Sequence, residues 1–332
     1  SSDLTGLLAG RMQADDTSVR AGAPEGRSAI ALPASGSEED PRVAEVVAAS
    51  PDALKKGMGD FMRWAAEQRD IARGIRRPSE ARELERIIGG EDVAPGAFTS
   101  CVCIGGATDW FCSGVVIAPR VVLTAAHCGS TITRVMIGGN SVKPLLDTNA
   151  RVVPVQRVEV HAAYRRSPFH EYDINLLILA EDANVPPALI ATPDQLRAAS
   201  TIQLVGFGYN DPQRPLGFGI KRQVLVPMAP IFEAPDVASL ASLEAQLGFH
   251  AAYEFVAGRK GLGIDTCNGD SGGPAYVSGP QGFRLAGLTS RATREGSLPC
   301  GDGGIYVRPD QFAEWIAQVM ERAGLARLPH AA

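Results

Sequence analysis

The stretch Asn268-Gly269-Asp270-Ser271-Gly272-Gly273-Pro274 sets a single serine between glycines, directly after an aspartate. A serine hydroxyl is a poor nucleophile until a neighbouring base removes its proton. It also needs backbone N–H groups close by to hold the oxyanion that forms when it attacks a carbonyl. Glycines on both sides let the main chain turn tightly and come close to a substrate. The heptapeptide therefore reads as a nucleophile at Ser271, with the amides of Gly269 and Ser271 as an oxyanion hole. The competing reading is a glycine-rich turn with a surface serine, and this stretch alone leaves both open.

Working outward, two further stretches supply what such a serine would need. Leu123-Thr124-Ala125-Ala126-His127-Cys128 places a histidine at the end of an apolar run, among small residues. Five histidines are present, so a structural role competes with a catalytic one. Asp173-Ile174-Asn175-Leu176-Leu177-Ile178-Leu179 opens an apolar strand with a carboxylate. That aspartate is either a strand-edge charge or a buried group in need of a partner. A histidine is a natural one, since the carboxylate would fix its tautomer and stabilise the imidazolium.

Taken in chain order as His, Asp and Ser, the three stretches make residues 87–324 similar to the trypsin/chymotrypsin family of serine proteases. The resemblance implies an all-β fold: two six-stranded antiparallel β-barrels with the site between them, closed by a C-terminal helix. It places His127 on the base, Asp173 on the orienting aspartate and Ser271 on the nucleophile. Ser290 falls on the serine that supports the aspartate from behind. Arg86-Ile87-Ile88-Gly89-Gly90 resembles the segment cut on activation, whose new Ile87 ammonium would pair with Asp270. The physical basis is that a buried carboxylate needs a charge partner, and the amine exists only after cleavage. Because 86 residues precede Ile87, the resemblance implies a zymogen, activated after Arg86 by another protease or by self-cleavage.

Asp265, six residues before Ser271, resembles the aspartate at the base of the trypsin primary pocket. A carboxylate in a closed pocket favours a cationic side chain, which implies cleavage after Arg or Lys. Gly304 matches the glycine that keeps the pocket deep. Arg291-Ala292 stands where trypsins show Trp-Gly, so Ala292 narrows the pocket mouth. Arg291 alters the next subsites and points toward acidic groups upstream of the scissile bond. The spacing from Cys300 to Gly304 is short against trypsin. Cys112–Cys128 and Cys267–Cys300 match two family bridges, and Val256 stands where many relatives have a third cysteine. Cys101 and Cys103 match nothing in the family; at i and i+2 of a strand they share one face. A free buried pair is the expectation, with a local bridge or a link to another chain as the other readings.

The rest of the chain divides near residue 87. Residues 1–40 are rich in Ala, Gly, Ser and Asp and read as disordered. Residues 41–85 read as helical: Ser50-Pro51 is a good helix start, and Leu54, Met58, Phe61, Ala65 and Ile71 recur at near-helical spacing. The expected domains are thus a pro-region over 1–86 and a protease domain over 87–332. Within the latter, Val115–Ile117, Val121–Thr124, Val152–Val160, Ile174–Leu179, Ile202–Phe207, Gln223–Val226, Gly273–Val277 and Leu285–Leu288 read as strands. Asp310–Gly324 reads as the final helix, with Phe312, Trp315, Ile316 and Val319 on one side.

Of the 332 residues, 45% are apolar, enough for a sizeable core, and the formal net charge of −5 argues against a nucleic-acid partner. No run reaches the roughly 20 apolar residues of a membrane span. No phosphate loop, dinucleotide fingerprint or metal-ligand set is found, so neither cofactor nor metal is expected. The expected partners are a protein or peptide substrate and the activating protease. Two bridges favour an oxidising compartment, secreted or periplasmic, while the absence of a visible signal peptide keeps a cytoplasmic location open. Two other functions stay in view. One is a catalytically silent binding module on the same fold; the other is an intracellular protease recruited to a partner through its N-terminal helical region.

Overall fold

The computed structural model describes residues 90–328, apart from 144–146, 148, 165–170, 211–216 and 299. The readings for residues 1–86, and the segment around Arg86 and Ile87, lie outside the described residues.

Thirteen strands form two sheets among the described residues. A two-residue strand, β1 (Glu91–Asp92), precedes β2 (Cys101–Gly105), β3 (Trp110–Ala118), β4 (Val121–Thr124), β5 (Arg134–Ile137), β6 (Arg151–Val160) and β7 (Asn175–Leu179). Strands β2 to β7 close into a six-stranded antiparallel barrel in the order β2-β3-β4-β7-β6-β5, with β5 returning to β2 at Cys103 and Met136. The second sheet uses β8 (Thr201–Gly206), β9 (Arg222–Pro227), β10 (Glu254–Ala257), β11 (Pro274–Gly279), β12 (Gly282–Ala292) and β13 (Gly304–Val307). Its order is β1-β9-β8-β11-β12-β13-β10. The expectation of two six-stranded barrels is thereby refined. The second unit has six principal strands, and Glu91–Asp92 adds a seventh at its edge by pairing with Gln223 and Arg222. Its far strand comes back toward β9 through a bridge between Met228 and Ala257 and a hydrogen bond from the Gly258 amide to the Pro227 carbonyl.

The strand period of two sorts the apolar residues into layers. In β4 and β7, Leu123, Val121, Leu176 and Ile178 face one way, toward Tyr276, Leu288 and Val307 of the second sheet and toward Phe312 and Ile316. Val122, Leu177 and Leu179 face the opposite way, into the closed barrel with Val102, Ile104 and Val135. Both faces of these strands are covered, which is why they read as unbroken apolar runs and not as alternation. Cys101 and Cys103 do share a face, buried and free, in the layer between the two sheets.

Among the described residues, α-helix is confined to three segments: α1 (Pro193–Arg197), α2 (Val237–Leu247) and α3 (Ala313–Arg322). Helix α2 was not anticipated from sequence. It starts on Asp236, whose side chain accepts from the Ser239 amide, and stops at Gly248 in the left-handed conformation, a cap at each end. The C-terminal helix is shorter than expected. Pro309–Phe312 forms a 3-10 turn, and the α-helix runs only from Ala313 before Gly324 adopts φ 70°.

Candidate active site

Strand pairing brings the histidine and the aspartate together. Thr124 at the end of β4 lies opposite Asn175 at the start of β7. His127 follows in the short turn Ala126–Cys128, and Asp173 lies two residues before the first residue of β7. The Asp173 carboxylate, 1% exposed, lies 2.7 Å from His127 Nδ1 and accepts the His127 amide at 2.8 Å. Ser290 Oγ donates to the same carboxylate at 2.6 Å. A buried carboxylate so held has its lone pairs taken up, and it fixes His127 by two contacts from one side chain, one to the ring and one to the backbone amide.

The Ser271 loop is tied to that ensemble through its main chain. The Ser271 carbonyl accepts the Ser113 amide of β3 at 2.9 Å. The adjacent Cys112 is bridged to Cys128, next to His127. The loop is held residue by residue: Tyr209 N–H donates to the Asn268 carbonyl, Asp270 N–H to Cys267, Gly272 N–H to Thr289 and Gly273 N–H to the Asp270 carbonyl. Gly269 has φ 94°, a value that favours glycine, and a Cβ there would meet the Phe218 ring at 2.6 Å.

A small cavity of roughly 70 Å³ opens beside this loop. Ser271, Asp265, Ser290, Ala292 and Gly304 all line it, with the Cys267–Cys300 bridge in its wall. Ser290 thus belongs both to the cavity and to the Asp173–His127 chain. Gly303 joins Gly304 in the wall that the short spacing after Cys300 had left open. A Cβ on Gly304 would fall 2.7 Å from the Tyr306 hydroxyl. That hydroxyl donates to Asp265 at 2.9 Å, and the Thr266 amide donates at 2.7 Å.

Burial pushes the Asp265 carboxyl up to about 6, although the bonds from Thr266 and Tyr306 work against the shift. Folding therefore favours its protonated form. Stability linked to Asp265 is fully present below the ordinary carboxylate pKa near 4 and is lost as pH rises through about 6. Asp265→Asn should consequently melt with wild type near pH 4. Above pH 6 it should be more stable, by up to about 3 kcal/mol. Melting curves of the two proteins across that range check this; equal Tm differences at both ends would contradict it.

Asp270, fully buried, accepts the Gly208 amide and the Cys267 amide, each at 2.8 Å. Burial raises its carboxyl to about 6, while those two amides and the field of Arg222 pull it down. No ion pair to it is formed among the described residues. Gly206 and Gly208 make its cradle, for a Cβ on either would come within 2.1 Å and 2.6 Å of the carboxylate.

Arg291 does not present a free cation at the cavity mouth. Fully buried Glu254 grips its guanidinium at 2.7 and 2.9 Å, and the Gly248 carbonyl takes a third bond. The charge expected to attract acidic groups is compensated from within. Sequence reading also missed Asp302, which accepts amides of Gly261, Ser297 and Leu298 and so joins two loops near the cavity. These bonds hold its carboxyl below the usual range. Neither Glu254 nor Asp302 sits in a motif; their partners lie up to tens of residues away, which composition and spacing do not reveal. Among the described residues no cluster of His, Cys, Asp and Glu suits a metal ion, and no helix is long and apolar enough to cross a membrane.

Comparison with known proteins finds serine proteases. The family profile described as Trypsin matches residues 87–316. Kallikrein-15 of Saguinus oedipus is 28% identical over 257 residues, 74% of this chain and 95% of that protein. Transmembrane protease serine 5 of Homo sapiens is 29% identical over 251 residues, covering 71% of this chain and 52% of that protein. The solved structure of neuropsin, a serine protease expressed in the limbic system of mouse brain, is similar at a TM-score of 0.56 and 26% identity. It covers 70% of this chain and 99% of neuropsin.

Proposed function

This chain belongs to the trypsin family of serine proteases, and from that premise we propose that it is a serine endopeptidase, made as a zymogen and cutting after Arg or Lys. The single observation that supports this best is the continuous chain Ser290–Asp173–His127 beside a cavity lined by both Ser271 and Asp265. His127 takes the Ser271 proton as the hydroxyl attacks the scissile carbonyl, and Asp173 stabilises the imidazolium that results. The amides of Gly269 and Ser271 receive the oxyanion. The imidazolium then protonates the leaving amine, and water repeats the sequence to release the acyl group. Asp265 at the base of the cavity pairs with the cationic side chain before the scissile bond, with Ser290, Ala292 and Gly304 shaping the walls.

Activation is cleavage between Arg86 and Ile87, by another protease or by the enzyme itself. The new Ile87 ammonium gives Asp270 a charge partner, which it has from none of the described residues. Residues 1–86 contain no cysteine, so the released pro-region keeps no covalent tether. Two disulfides support an oxidising compartment outside the cytoplasm.

The test is peptide hydrolysis before and after limited cleavage at Arg86, with substrates that differ only in the residue preceding the scissile bond. Activity should appear with the Ile87 N-terminus and favour Arg and Lys. Full activity in the uncut chain would overturn the zymogen, and no activity after verified cleavage would favour a silent binding module.

A further inference from the structure

Ser113 lies in β3, wholly buried, and every polar atom it has is in use around the Ser271 loop. Its amide donates to the Ser271 carbonyl at 2.9 Å. Its own carbonyl accepts Thr124 Oγ1 at 2.8 Å. Its hydroxyl donates to the Gly269 carbonyl at 2.9 Å and accepts the Phe207 amide at 3.0 Å. Ser113 therefore touches both residues whose amides would receive the oxyanion, and it joins them to the segment Gly206–Tyr209.

That segment grips the loop at successive points. Tyr209 N–H holds the Asn268 carbonyl and Gly208 N–H holds the Asp270 carboxylate. The Gly269 carbonyl, between them, is held by the Ser113 hydroxyl. A trans peptide is planar, so fixing a carbonyl fixes the plane that carries the next N–H. At Gly269 the planes on either side meet at a residue with no side chain to resist rotation. An external brace is needed there, and the hydroxyl supplies it.

We propose that Ser113 is a positioning residue for the oxyanion hole, acting through the Gly269 carbonyl and touching no substrate itself. The inference rests on the endopeptidase reading. Without the hydroxyl, the buried Phe207 amide and the half-buried Gly269 carbonyl both lose their partner. Turning the Gly269–Asp270 peptide is the response open to the loop; it changes ψ at Gly269, and the shift passes across that hinge to the neighbouring peptide that carries the Gly269 N–H, moving this N–H off the oxyanion. Donors of this kind act only when aimed in advance at the charge that develops.

The experiment compares Ser113→Ala with wild type after cleavage at Arg86. Three quantities are read: kcat, the affinity of a peptide aldehyde, and the affinity of benzamidine. The aldehyde forms a tetrahedral adduct with Ser271 and so uses the oxyanion hole; benzamidine occupies only the cavity over Asp265. The expected result is a kcat lower by about tenfold or more, with aldehyde affinity falling by the same factor and benzamidine affinity changed less than twofold. Unchanged kcat and aldehyde affinity would overturn the role. Equal weakening of both inhibitors would also overturn it, since that is general loosening of the site. Ser113→Gly, which removes the same hydroxyl, is measured alongside in case the alanine variant does not fold. An inactive wild type after verified cleavage would instead refute the endopeptidase reading itself.

Discussion

Replacing Ser271 with alanine is expected to lower kcat by roughly 10⁶-fold while leaving the fold in place. The Ser271 side chain is half-buried at the edge of the cavity, and the contacts that fix the loop do not use its hydroxyl. The substitution removes one oxygen and none of those bonds, so the Tm should stay within a few degrees of wild type. The loss follows from chemistry alone: without the hydroxyl there is no acyl-enzyme, and His127 has no proton to take. His127→Ala should be of comparable size, because members of such a unit act together and their losses do not add. Single-turnover measurements on an arginine peptide, paired with thermal melts, separate chemistry from unfolding. A variant that keeps a tenth of the wild-type rate would remove Ser271 from the reaction.

The second large effect belongs to Asp265. Asp265→Ser should reduce kcat/KM for arginine and lysine substrates by about 10³-fold, while substrates with a neutral residue at that position hold steady or improve. Removing one partner of a buried ion pair costs on the order of 3–5 kcal/mol, since the remaining charge is stranded. In the free protein that stranded charge is the carboxylate itself, already pushed up to about 6 by burial. The cation of the substrate therefore relieves an existing penalty as well as adding an attraction. The variant should in consequence be no less stable than wild type at neutral pH. Retained preference for arginine in Asp265→Ser would place the specificity elsewhere in the cavity.

How much of this was legible in the sequence differs from residue to residue. The Ser271 loop was readable because its backbone demands are concentrated in a few residues: glycine where the chain has φ 94°, and serine beside an aspartate. Leu123–His127 and Asp173–Leu179 were readable because strands covered on both faces must be apolar throughout. The eight strand readings all fall on strands. Outside those eight, β5, β10 and β13 are four residues long and β1 only two, which gives a period little room to declare itself, while β2 was read only as the strand that would put Cys101 and Cys103 on one face. Helix α2 escaped notice because its alanines and leucines make a weak stripe, with only Leu247 buried. Ser113, Glu254 and Asp302 were invisible for a different reason. Each acts through one side chain upon loops that only the folded topology brings near. Arg291 was read as a free charge since nothing local announces that Glu254, 37 residues earlier, would neutralise it.

The short edge strand Glu91–Asp92 has a consequence for how the protein behaves in a crowd. A closed barrel offers no unpaired strand to another molecule. The second sheet has two ends, β1 and β10, and β1 is two residues long, both exposed and both acidic. A foreign strand seeking to extend the sheet from β1 would have to lie along those carboxylates and would find only two residues to pair with. Fibrillar self-assembly, which grows by such extension, finds little to pair with at this end, and at the other end β10 is turned back toward β9 through Ala257 and Gly258.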